Sequence, residues 1–216
     1  MTKFMALNIS ISEDGYMAGE HQSKTSPLGK RGELLHSWAV ETESFRRWHG
    51  ETGGTLGVNN DFIEAGFTNI GATIMGRNMF GPIRGEWSDE NWKGWWGPSP
   101  GYRHPVYVLT HYPRKTLDMG NGTVFHFIAG GIREAFEMAG NAAGDQDVRV
   151  GGGAYTIQQF MNAGLLDELH VARIPIKLNA GEKLFSNPSS QLGAYVEMTE
   201  VVSDSVVHVS YVKVET

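Results

Sequence analysis

The run Asp147-Val148-Arg149-Val150 leads into Gly151-Gly152-Gly153-Ala154 and then into an amphipathic stretch ending at Ala163. A strand that enters glycines and leaves as a helix aims unpaired backbone N–H groups and a positive helix end at one point, which favours phosphate. Adjacent glycines let a ligand approach the main chain without meeting a Cβ. The dinucleotide fingerprint G-x-G-x-x-G does not fit, because its third glycine position is Thr156 and Val171 lies where its acid belongs. A tight strand-to-helix turn with no ligand is the competing reading.

Two further turns carry related chemistry. Gly76 and Arg77 directly follow an apolar run over residues 72–75. A guanidinium there would match a phosphate with its planar donor fork, or would simply pair with a surface acid. Thr110, His111, Arg114 and Lys115 close another strand. A threonine hydroxyl can donate to phosphate oxygen, and the cations could hold a 2′-phosphate, which would favour NADPH over NADH. Solvated loop charges are the plain alternative.

Trp87, Trp92, Trp95 and Trp96 crowd one glycine- and proline-rich segment. With Trp38 they could wall a flat heteroaromatic substrate, or they could anchor the loop or a dimer contact. Asp14 follows the first strand, and Asp61 and Glu64 lie one turn apart. A carboxylate in an apolar cleft can help protonate a substrate nitrogen, so Asp14 and Asp61 are the candidate catalytic acids. Asp61 is equally suited to start a helix. The 8 histidines show no H-x-x-x-H or H-E-x-x-H spacing, so no metal is expected, and no G-x-S-x-G nucleophile motif is present.

The elements that must position these groups alternate. Strands are expected over residues 4–11, 72–75, 106–110, 124–128, 148–150, 168–174, 195–202 and 206–214, the last two as a terminal hairpin around Asp204. Helical spacing follows Asn59-Asn60-Asp61 at Ile63, Phe67 and Ile70, and recurs at Ile132, Ala135, Phe136 and Ala139 and at Ile157, Phe160 and Met161. Residues 19–58 and 81–105 read as long excursions from one domain spanning 1–216. This order implies an α/β three-layer fold: a mixed, mostly parallel sheet of about eight strands between helices. Ligands on such sheets gather beyond the carboxyl ends of the strands.

Composition narrows the classes. The 216 residues carry a net charge of -6 and no cysteine, which excludes disulfides and thiolate metal sites. Nothing suggests nucleic-acid binding or a membrane partner, and no run approaches a membrane span. A cytoplasmic protein acting on a small molecule is expected.

The turns occur in a familiar order. Ser12-Glu13-Asp14-Gly15-Tyr16, Ile74-Met75-Gly76-Arg77, Val106-Tyr107-Val108-Leu109-Thr110 and Val150-Gly151-Gly152-Gly153-Ala154 are followed by Gly164-Leu165-Leu166-Asp167-Glu168 and by residues 175–185, Pro175 to Phe185. Over most of its length the chain resembles the dihydrofolate-reductase-like family that includes the C-terminal reductase domain of bacterial riboflavin biosynthesis proteins. The two excursions look like those of its actinobacterial-type members.

The resemblance implies a dihydrofolate-reductase-like fold, NADPH as hydride donor and a homodimer. Gly76 and Arg77 would contact the cofactor phosphates, and Thr110, His111 and Arg114 would hold the adenosine side. Gly151, Gly152, Gly153 and Ala154 would cradle the pyrophosphate beside Tyr155, and Asp14 would border the nicotinamide. Substrate would lie near Trp38, Trp95 and Trp96. The expected activity is hydride transfer to a pterin- or riboflavin-precursor-like heteroaromatic, or to a carbonyl or imine. A non-catalytic nucleotide-binding protein is the alternative. The family's dihydrofolate reductases carry a carboxylate on the first helix. Aligned without gaps, Asn60 takes that position, one residue (about 100° of helix turn) before Asp61.

Overall fold

Successive side chains of a strand point to opposite sides, and this alternation sets the two faces of one large sheet. The computed structural model describes residues 2–81, 85–204 and 206–214; residues 82–84 of the second excursion and 205 of the terminal hairpin lie outside them. The strands are β1 (Phe4–Ser12), β2 (Tyr16–Ala18), β3 (Ile70–Gly76), β4 (Pro105–Leu109), β5 (Leu117–Asp118), β6 (Val124–Ile128), β7 (Asp147–Val150), β8 (Glu168–Ile174), β9 (Glu182–Lys183), β10 (Tyr195–Ser203) and β11 (Val206–Lys213). The helices are α1 (Ser37–Val40), α2 (Glu43–Trp48), α3 (Val58–Ala65), α4 (Arg77–Phe80), α5 (Gly131–Ala143), α6 (Ala154–Asn162) and α7 (Pro188–Gln191).

Among the described residues nine strands form the main sheet, in the order β10-β11-β8-β1-β7-β3-β4-β6-β5. It is parallel from β8 through β6, and the antiparallel pairs lie at its ends. Parallel neighbours require crossovers, and α5 and α6 supply those into and out of β7. The count is one above the eight expected. Two-residue β5 is too short to leave a periodic signal.

One face packs on α5 and α6: Ile74, Val148, Val150 and Leu169 meet Ala135, Ala139, Ile157 and Phe160. Burying a side chain such as Phe160 contributes roughly 1.5–3 kcal/mol. The other face is covered in two patches that meet at the Phe67–Trp48 stack. Ala172 and Ile174 meet Leu35, Trp38 and Ile63. Met75, Val106, Val108 and Phe125 meet Phe80 and Tyr102, with Trp87, Trp92 and Trp96 packed around them. The first excursion is therefore ordered: its short helices supply the first patch. Much of the tryptophan cluster anchors the second.

Two local departures matter. Asn8 adopts φ 60°, and the β1–β8 register shifts between Ala6 and Ile9. This bulge lets Ala6 and Ile9 pack in the same core despite their odd spacing. Helix α3 starts at Val58 after Gly57, so Asp61 sits in its first turn and does not cap it. Among the described residues no helix is long and apolar enough to cross a membrane.

Candidate functional site

The ends of β3 and β7 interlock. Gly76 N–H donates to Gly152 O at 2.6 Å, and Gly151 N–H donates to Ile74 O at 2.9 Å. A Cβ on Gly76 would stand 2.5 Å from Thr156 Oγ1, so the approach demands glycine. Gly152 has φ +112°, a region that L side chains rarely adopt. Gly153 differs: a Cβ there would meet nothing within 4 Å, so its main chain is open to a ligand. Gly153 also gives α6 no side-chain cap; Thr156 N–H donates to Gly153 O at 3.0 Å, which leaves the N–H groups of Ala154 and Tyr155 to other acceptors.

A cavity of about 1090 Å³ opens at this point. Its wall brings together the three turns read from sequence: Gly76 and Arg77, Thr110 and His111, and Gly151, Gly153, Ala154 and Tyr155. Gly152 is the buried hinge behind them. A fourth turn, Ala129, Gly131 and Ile132 at the start of α5, joins the same wall. Sequence reasoning passed it over, although Ile128-Ala129-Gly130-Gly131-Ile132 has the same strand–glycine–helix order as residues 150–154.

Arg77 stacks on Trp87, with its guanidinium carbon 3.3 Å from the ring centre. Burial, and then the charge of Arg114, lowers the proton affinity of Arg77. Arg114 does not line the cavity: its side chain is 4 % exposed, lies 4.9 Å from the Trp87 ring centre and pairs with Glu90. Thr110 Oγ1 accepts from Tyr112 N–H at 3.1 Å, which fixes the turn after β4.

The two candidate acids stand elsewhere. Asp14 accepts from the Ser12 hydroxyl at 2.6 Å and from the N–H groups of Leu178 and Asn179 at 3.1 and 2.8 Å. Burial works to raise its pKa, but these hydrogen bonds outweigh it and hold the carboxyl below its ordinary value. An ionised carboxylate with its oxygens so engaged staples the segment after β8; it is not among the cavity's lining groups. Asp61 is exposed on α3 and also lies off the cavity. Asn60 is buried and accepts Ser44 N–H at 2.8 Å, tying α2 to α3. The α3 side chain that reaches the cavity is Ile63, followed by Phe67 after the helix.

Trp95 and Trp96 border the cavity. Trp38 does not: it is 7 % exposed and donates from Nε1 to Ser10 Oγ at 2.9 Å. It positions Ser10, which lines the cavity and whose hydroxyl lies 3.3 Å from His36 Nδ1. Burial lowers the pKa of His36 and keeps it neutral. Arg149 on β7 also lines the cavity, and sequence reasoning gave it no role. The available signal was a charge set between Val148 and Val150. Among the described residues no group of three or more histidines and carboxylates is placed to hold a metal.

The family model of the RibD C-terminal domain matches residues 3–208. A Shewanella sp. PV-4 protein provisionally assigned to riboflavin biosynthesis has a similar structure, with TM-score 0.63, 22% identity and 100% of each chain covered. Dihydrofolate reductase from Enterococcus faecalis, complexed with NADP(H) and RAB-propyl, aligns with TM-score 0.54 and 14% identity, covering 99% of this chain and 97% of that one. At these identities the likenesses establish the fold. No curated protein matches the sequence.

Proposed function

The chain belongs to the RibD C-terminal domain family, and from that premise we propose that it is an NADPH-dependent reductase of a small flat substrate. The interlocked turns at Gly76 and Gly152, opening on one cavity, carry this reading. The residues present suit the cofactor, since Gly153 leaves the space that a Cβ would fill and Arg77 stands beside it. The E. faecalis enzyme, which shares the fold, is complexed with NADP(H).

In this reading Gly153, Ala154, Arg77 and the start of α5 hold the diphosphate. Thr110 and His111 hold the adenosine side, and Tyr155 flanks the entrance. NADPH, when bound, supplies the hydride. The protein supplies orientation and excludes water. Trp95 and Trp96 face the substrate from the second excursion. The Ser10 hydroxyl, with Trp38 N–H donated to its oxygen, holds a proton toward His36 Nδ1 or toward substrate. Asp14 and Asp61 have no part in the chemistry.

Calorimetric titration with NADPH tests the reading. Gly153→Asp has room for its side chain but sets a carboxylate against the diphosphate, and should weaken binding about tenfold or more. Gly153→Ala, which takes the same space without a charge, should weaken binding less than Gly153→Asp does. Equal affinity in all three, or no binding by wild type, would end it. One observation favours a non-catalytic nucleotide-binding protein instead: α3 brings Ile63 and no carboxylate to the cavity. NADPH absorbance followed against pterins, flavin precursors and simple carbonyls separates the two, because turnover of any of them excludes the binding-only view.

A further inference from the structure

Strand alternation turns Arg149 away from the α5–α6 layer, where Val148 and Val150 pack, and into the cavity. Its Nε is buried without a hydrogen-bond partner. Among the described residues no carboxylate forms an ion pair with it. What surrounds it is aromatic. The guanidinium carbon lies 5.3 Å from the Phe67 ring centre. The rings then run on in contact: Phe67 to Trp48 at 5.2 Å, Trp48 to Tyr102 at 5.1 Å and Tyr102 to Trp96 at 5.1 Å. All four rings line the cavity.

A guanidinium at this depth is costly unless an anion meets it. His104 does not compete for that anion. Burial, and then the charge of Arg149, holds its pKa at about 4, and its Nε2 is engaged with Thr73 Oγ1 at 2.8 Å. We propose that the occupant of this end of the cavity is an aromatic carboxylate: its two oxygens seat on the Arg149 fork and its ring lies along the wall formed by Phe67, Trp48, Tyr102 and Trp96. A single planar fork matches two coplanar oxygens. A phosphate would turn its further oxygens toward rings. This deepens the reductase reading by naming the substrate class, and it rests on taking this cavity as the substrate site.

Naphthalene carboxylate and its neutral isostere naphthalene carboxamide test the proposal by calorimetry, with naphthyl phosphate as a third probe. Wild type should prefer the carboxylate to the carboxamide about tenfold or more. Arg149→Met should lose that preference, and Arg149→Lys, which keeps the charge without the fork, should restore part of it. No preference in wild type, a preference that survives in Arg149→Met, or tighter binding of naphthyl phosphate would each overturn the proposal. NADPH titrated into the same samples reports separately. If wild type prefers the carboxylate but does not bind NADPH, the reductase reading fails and the Arg149 site stands.

Discussion

The imidazoles of His170 and His208 are hydrogen-bonded to each other, Nε2 to Nδ1 at 3.1 Å. Asn8 N–H donates to His170 Nδ1 at 3.2 Å, so His170 must carry its proton on Nε2 and donate it to His208. His208 in turn donates from Nε2 to Asn59 Oδ1 at 2.9 Å. The ring of Phe62 stacks on both imidazoles, at 4.3 and 4.2 Å. The chain of bonds runs from the β1 bulge through β8 and β11 to α3, and it works only with both imidazoles neutral.

Acid should therefore unfold this protein early. Burial holds His170 at about 3, with a further push from His208, and burial holds His208 at about 4. The folded pKa values lie below the unfolded value, so the unfolded chain binds more protons as pH falls. Stability is complete above the ordinary histidine pKa and declines below it, toward the folded values, by about 1.4 kcal/mol per histidine per pH unit. Melting temperature measured from neutral pH downward should fall steeply, and His208→Gln should flatten the fall. A profile that stays level through the histidine range would refute the neutral pair.

Gly76→Ala should destabilise the protein by about 1–3 kcal/mol, because the new methyl overlaps Thr156 Oγ1. Thr156→Ala removes that atom, so the double variant should recover part of the loss. Denaturant titration of the four proteins gives the coupling energy. Strict additivity would mean that the two turns do not touch as described.

Asp14→Asn should lower the melting temperature, because the amide cannot accept from Ser12, Leu178 and Asn179 as the carboxylate does. NADPH affinity should not change, and neither should turnover per folded molecule once a substrate is found. A variant that melts as wild type does but has lost activity would restore Asp14 as a catalytic acid.

The homodimer implied by the family resemblance needs a surface, and we propose the edge strand β10. Val196, Met198 and Val202 stand 50%, 61% and 65% exposed there. An uncovered apolar edge invites a second copy. Light scattering should find a dimer that Met198→Lys shifts toward monomer. A monomeric wild type, or a dimer indifferent to the lysine, would discard this seam.

Glycine marked the turns at the cavity from sequence, because backbone approach limits the residue types a turn can use. Gly76 and residues 151–153 lie on the cavity wall or directly behind it. The sheet was legible for a similar reason: alternation over two faces is written residue by residue. Roles fixed by distant partners were not. Whether Asp14 acts on a substrate or ties down a loop depends on amides more than 160 positions away. Arg114 looked like a phosphate ligand until Trp87 and Glu90 folded over it. Arg149 was hidden by parity. Its place in the strand gave the face, but only the folded neighbours reveal that the face is a chamber of rings.

The covering on the α3 side of the sheet comes in two clusters bridged by the Phe67–Trp48 stack, and the cleft is the gap that opens between them beside it. A molecule seated in that gap would touch Ile63 and Phe67 on one bank and Tyr102 and Trp96 on the other. It would serve as a keystone as well as a guest. Amide hydrogen exchange should then slow on both banks together when the gap is filled, since each piece gains from the presence of its opposite.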